Sequence, residues 1–258
     1  MAAPTMQARN GGVQGSDTIS HAITMPASIA AGERLVVVIS VDQSDCVVWV
    51  DEAVSGKLWE KLGQDVNGVN VTGAAFTKVA EGSDVLTLLT TTPQQSSHVS
   101  LRISAANRTG VAVTNGSSTN SDPPLLTLAE GSPSPAVLWI ATRSGDAAVV
   151  ATAAPAGYAN LQTQTGGASG ASTNTAEKTA TLDSENPGTF TSNIEQWVSF
   201  TIGVWNGNAG KGRVTQLLAE AVSKGQPTAQ VTQLVVEVVS GGTGTTPTVK
   251  AGQLVIST

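Results

Sequence analysis

The sequence predicts an all-β fold, a jelly-roll-like or Ig-like β-sandwich built from two related units of about 95 residues each, followed by a C-terminal extended β segment. Three observations carry this expectation. Short β-branched runs recur at close spacing, separated by Gly, Ser and Pro turns, with no convincing helix among them. Charged residues make up 12% of the 258 and aromatics 3%, with Ala, Thr, Ser, Gly and Val filling the difference; an average soluble domain is roughly 25% charged. The second half of the chain also restates the pattern of the first.

Residues 1–18 are polar and Gly-rich (Asn10-Gly11-Gly12, Gln14-Gly15-Ser16) and are expected to form an N-terminal arm. Strands are expected at 20–25, 34–41 and 46–50. Leu35-Val36-Val37-Val38-Ile39 is apolar on both parities, the mark of a strand covered on both faces. Further strands are expected at 71–79 and 85–91, then at 98–104, where Val99, Leu101 and Ile103 alternate onto one face. Cys46, the single cysteine, lies in an apolar strand pattern and is expected to be a buried small hydrophobe.

The second unit repeats this order. Residues 136–142 resemble 35–41, and the segment ending Tyr158-Ala159-Asn160-Leu161 answers the one ending Trp59-Glu60-Lys61-Leu62. Residues 176–180 answer 75–79. Residues 197–202 answer 98–103, at an offset of 197 − 98 = 99. Each unit places an acidic turn before a Thr-rich strand: Glu81-Gly82-Ser83-Asp84 in one, Asp183-Ser184-Glu185-Asn186-Pro187-Gly188 in the other. The sandwich region is thus 19–206, with a joint near 107–135 at the polar stretch 115–124. The pattern leaves open whether each unit forms its own sandwich or both build one.

Residues 207–258 begin with a Gly/Asn linker and carry a duplicated strand phrase. Val214-Thr215-Gln216-Leu217-Leu218 returns as Val231-Thr232-Gln233-Leu234-Val235, at an offset of 231 − 214 = 17. Two strands are too few to be stable alone. They are expected to dock on another surface through Val214, Gln216, Leu218, Val231, Gln233, Leu234, Val236 and Val238.

The residues for common catalytic chemistries are sparse. Net charge is −6, which argues against nucleic acid and against an anionic membrane surface. No apolar run approaches the ~20 residues of a membrane helix, and no basic segment followed by an apolar run marks a signal peptide. His21 and His98 are the only histidines, and neither sits in a hydrolase motif. Gly207-Asn208-Ala209-Gly210-Lys211-Gly212 has the wrong spacing for a phosphate loop. Asp42-Gln43-Ser44-Asp45 and Asp183-Ser184-Glu185-Asn186 read as solvated turns rather than calcium loops. No catalytic residue, metal ligand or cofactor is expected. A sugar-stacking cleft would have to draw on Trp49, Trp59, Tyr158 or Trp205. The equivalent placement of Trp59 and Tyr158 favours core packing for those two.

The order of Gly32-Glu33 before the apolar strand, Trp59 with Leu62, Val79-Ala80-Glu81-Gly82-Ser83-Asp84, and a closing Ser/Thr-rich strand resembles virion structural proteins of tailed bacteriophages. Ala156-Gly157-Tyr158, Asn186-Pro187-Gly188-Thr189-Phe190 and the stretch 197–205 continue the resemblance. The doubled Val-Thr-Gln phrase is similar to short repeated modules at the ends of such proteins. The resemblance implies a non-enzymatic protein of the virion, assembled in the host cytoplasm. It would decorate or cement the capsid, or form a head- or tail-attached fibre. Its partners would be other copies of itself and phage capsid or tail proteins, with a receptor- or glycan-binding fibre module as the alternative.

Overall fold

The run Leu35 to Ile39 needs apolar cover on both faces, and the fold supplies it. The structure is a computed structural model that describes residues 2–50, 58–128, 136–146, 150–166 and 170–207, with backbone alone at 49 and 50. The chain divides into two units, Met1–Gly207 and Asn208–Thr258. The expected tail strands and the eight docking residues from Val214 to Val238 lie outside the described residues.

The first unit is all-β. The strands are β1 (Thr5–Ala22), β2 (Arg34–Asp42), β3 (Val48–Val50), β4 (Glu60–Asn67), β5 (Val71–Val79), β6 (Thr87–Ser104) and β7 (Arg108–Ser118). They continue as β8 (Leu126–Thr127), β9 (Val137–Gly145), β10 (Ala159–Thr165), β11 (Ser172–Ala180), β12 (Ser184–Glu185) and β13 (Glu195–Trp205). One sheet has the order β1-β6-β2-β5-β4, with β3 also on β6; the other runs β10-β11-β9-β13-β7. A two-stranded ribbon joins β12 to β8.

Read from β7, the second sheet is β7-β13-β9-β11-β10. Strand for strand this is the order of the first, so the expected duplication is present in the topology. Each repeat builds one sheet and the two sheets make one sandwich, which settles the alternative left open above. Across the interface β1 lies over β10, β6 over β11, β2 over β9, β5 over β13 and β4 over β7. Exchanging equivalent strands maps this set onto itself, as in a two-fold dimer fused into one chain. An Ig sandwich distributes successive strands between its sheets. Here each sheet is completed before the next begins, so a jelly-roll or Ig designation does not follow from this connectivity.

Three apolar layers result. Between the sheets lie Val36, Val38, Val99, Leu101 and Ile103 against Leu138, Ile140, Val198, Phe200 and Ile202. The outer face of the first sheet carries Leu35, Val37, Ile39 and Phe76, lidded by Ile23, Val47, Trp59 and Leu86. The outer face of the second carries Val137, Trp139 and Ala176, lidded by Leu126, Leu128, Tyr158 and Phe190. A fully buried side chain of this size contributes roughly 1.5–3 kcal/mol, so the lids stabilise each sheet much as the sheets stabilise one another. The sheets approach closely at Gly73, where a Cβ would lie 2.9 Å from Ser144 Oγ and Val198 Cβ. Polar side chains fill the same end of the interface. Thr173 Oγ1 lies 2.7 Å from Ser40 Oγ and 2.8 Å from Ser97 Oγ, and buried Arg143 pairs with Glu195 and donates to Asn174 Oδ1 at 2.8 Å.

Four expectations change. Residues 5–18, set apart as an arm, belong to the edge strand β1 and pair with β6. The stretch 115–124 is not wholly a joint: Asn115 to Ser118 continue β7, and the chain changes sheets at 105–107. Ala75 faces the inter-sheet core whereas Ala176 faces the outer lid. The matching lysines, Lys78 and Lys178, set the local offset at 178 − 78 = 100, one less than the sequence match between 75 and 176. Cys46 is exposed, because it is Val47 that turns into the core in the loop before β3.

Candidate assembly interface

The two main sheets end in four strands, and their edges differ in how well they are guarded. β4 carries Glu60, Lys61 and Asp65, and its register shifts between Lys61 and Gly63. β1 is long but broken by three register shifts. β10 spans 7 residues and shifts between Ala159 and Gln162. By contrast, β7 pairs with β13 without interruption over 11 residues, from Arg108↔Trp205 to Ser118↔Glu195. Its one charge is at the first position; Thr109 to Ser118 contains no Lys, Asp, Glu or Pro. Val113, near its middle, is 37% exposed. Charges, prolines and bulges are what normally keep an edge from accepting another strand, and β7 has none of them along ten residues. Among the described residues only β13 pairs with it. Such an edge can receive an extended segment by main-chain hydrogen bonding.

The chain leaves the sandwich beside this edge. Asn107, just before β7, clamps Gly207 in both directions: its Oδ1 accepts the Gly207 N–H at 2.8 Å and its Nδ2 donates to the Gly207 carbonyl at 3.1 Å. The Asn107 N–H also donates to the Trp205 carbonyl at 3.1 Å, and Arg34 donates to the Asn107 carbonyl at 2.8 Å. Nearby, Asn206 reaches the carbonyl of Ala2 at 3.4 Å. The amino-terminal residues and the point where residues 208–258 begin therefore share one end of the sandwich. Next to them is a cleft of about 290 Å³ lined by Arg108 to Val111, Leu126 to Leu128 and Trp205.

The residues singled out for chemistry are used structurally. His21 is buried, with Nδ1 2.8 Å from Ser96 Oγ and Nε2 3.2 Å from Thr90 Oγ1. Ser96 is itself buried, so the pair presents no nucleophile to a substrate. Of the acidic turns expected to be solvated, Gln43, Ser44 and Asn186 are exposed, whereas Asp45 and Glu185 are buried. Burial pushes the Asp45 carboxyl up, but the N–H and hydroxyl groups of Thr91 and Thr92 donate to it and bring it down to about 2. Buried Glu185 accepts from Lys178 at 2.8 Å. Among the described residues no group of His, Cys, Asp and Glu is placed to hold a metal ion. No helix there is long and apolar enough to cross a membrane.

Trp59 and Tyr158 occupy equivalent lids, each immediately before the matching strand, β4 or β10. Trp59 Nε1 donates to the Val85 carbonyl at 3.0 Å. Burial, followed by the neighbouring Glu185, raises the Tyr158 hydroxyl above its ordinary value. Trp205 lines the cleft beside β7, and the residue is itself largely buried. The Trp49 side chain lies outside the described residues. Sequence reasoning missed β7; the signal available was Thr109, Val111 and Val113 in β-branched alternation, with no charge among ten residues.

No protein family matches the chain, and neither a curated protein nor a solved structure does.

Proposed function

We propose that this chain is a non-enzymatic structural protein of a tailed-phage virion. In this reading it decorates or cements the capsid, or forms a head- or tail-attached fibre. The tail, residues 208–258, docks on capsid or tail proteins, and a strand from a neighbouring subunit adds to β7. The observation that carries the proposal is the unbroken, uncharged edge of β7 beside the point where the tail begins. A free monomer would normally guard such an edge. In a particle it is an attachment line, and many copies turn weak contacts into firm attachment. Consistent with this, the described polar clusters are spent on internal fastening.

The cleft at Trp205 and Arg108 favours a second reading, a receptor- or glycan-binding module of a fibre.

The test is to express residues 1–207 and the full chain during particle assembly and to measure copies per purified particle. The shortened protein is expected to fold yet fall at least tenfold in occupancy. Full occupancy of 1–207 would contradict docking through the tail and move the weight to the cleft.

A further inference from the structure

The seam between β1 and β6 holds one histidine from each strand, and each ties β1 down. His98 of β6 stands opposite Gly12 of β1. A Cβ on Gly12 would come within 2.7 Å of His98 Cε1, so the ring lies on bare backbone. Its Nε2 accepts the N–H of Thr24, just beyond β1, at 2.9 Å. A nitrogen that accepts a main-chain N–H carries no proton; protonating it sets N–H against N–H. His21 of β1 is wedged between Ser96 and Thr90 of β6.

Few titratable groups face the pair. A charge on His21 opposes charging of His98, and Asp45, from the loop between β2 and β3, faces His21. Asp45 spends both oxygens on Thr91 and Thr92, at 2.5–3.1 Å. From β2 the residue paired with His98 is the apolar Ile39. Among the described residues the rings' hydrogen-bond partners are Thr90, Ser96 and Thr24, and none is a carboxylate that could take up an imidazolium.

We propose that the β1–β6 seam is an acid-released latch, in which protonation of His21 and His98 frees β1 and the chain through Thr24 and uncovers the edge of β6. The rest of the sheet stays, because β6 also pairs with β2 without a break from Arg34 to Val41. Among the described residues β1, by contrast, forms strand pairing with β6 alone and through three register shifts.

The direction of the pH effect follows from burial. Burial, and then His21, lowers His98 from 6.5 to about 4; burial lowers His21 too, partly offset by Asp45. A released strand binds protons below pH 6.5 that the docked strand refuses until about pH 4. The latch is therefore at full strength above that window and weakens as pH falls through it. For His98 alone, the change from pH 7.5 to pH 5 raises opening by about 30-fold.

Hydrogen exchange of the full chain at pH 7.5 and pH 5, corrected for the intrinsic rate, tests this. Peptides covering 5–22 and the facing part of β6 are expected to open about 30-fold more at pH 5, with β9 and β13 unchanged. The variant His98→Gln, whose amide oxygen can still accept from Thr24, is expected to lose most of that response. Equal protection of β1 at both pH values would overturn the latch. So would loss of protection in every strand together, or an undiminished acid response in His98→Gln. If the variant fails to fold, an NMR titration of wild-type His98 decides: an ordinary value near 6.5 overturns the proposal.

Discussion

The two sheets share one plan and fasten their lids differently. In the first, Lys78 is almost fully buried and lies 3.0 Å from both Glu81 and Asp84. In the second, the matching Lys178 is about a third exposed, reaches Glu185 alone at 2.8 Å, and passes beside the Tyr158 ring. The first half adds three buried polar side chains held by separate hydrogen bonds: Asp45 by Thr91 and Thr92, His21 by Thr90 and Ser96, and His98 by the Thr24 N–H. The second relies more on aromatic bulk, with Trp139, Tyr158, Phe190 and Trp205 in one layer. The shared inter-sheet core thus fixes the strand order, while the outer surfaces can be closed by charge or by rings.

The largest effect is expected where the sheets meet. Phe200 is fully buried in the layer common to both. Phe200→Ala should cost about 3–5 kcal/mol and leave a single cooperative transition in urea. Two separated transitions would mean that the sheets fold independently and are not halves of one core.

A smaller effect should separate the lids. Lys78→Met leaves the fully buried Asp84 carboxylate without its partner and is expected to cost about 3 kcal/mol. Lys178→Met removes a partly exposed ion pair and should cost about 1 kcal/mol or less. Urea midpoints of the two variants make the comparison, and equal losses would erase it.

Much of the fold was legible because its strands obey strong patterns. Leu35 to Ile39 announced a strand covered on both faces, and the 98/197 match placed Val99 and Val198 on the same inner core. Other features depend on partners far along the chain. Two expected strands, 85–91 and 98–104, are one strand, β6, despite Pro93. That proline is tolerated because the pairing with β1 is interrupted between Leu89 and Gln94. Gly11-Gly12 looked like an arm, yet Gly12 is small because His98 lies on it. The solvated reading of Asp45 failed because its donors, Thr91 and Thr92, lie 46 and 47 residues away. As for the assembly site, the tail phrase was visible as a repeat, whereas the openness of β7 is a property of the whole sheet order and not of residues 108–118 alone.

The most direct test of the assembly account is hydrogen exchange on β7 in the free protein and on purified particles, with Val113→Lys beside the wild type. That surface change should alter stability by no more than about 0.5 kcal/mol and reduce particle occupancy. In the wild type, amides of residues 109–118 are expected to gain protection on assembly while those of the charged edge β4 do not. Unchanged exchange along β7 in particles that carry the protein at full occupancy would contradict strand addition at that edge.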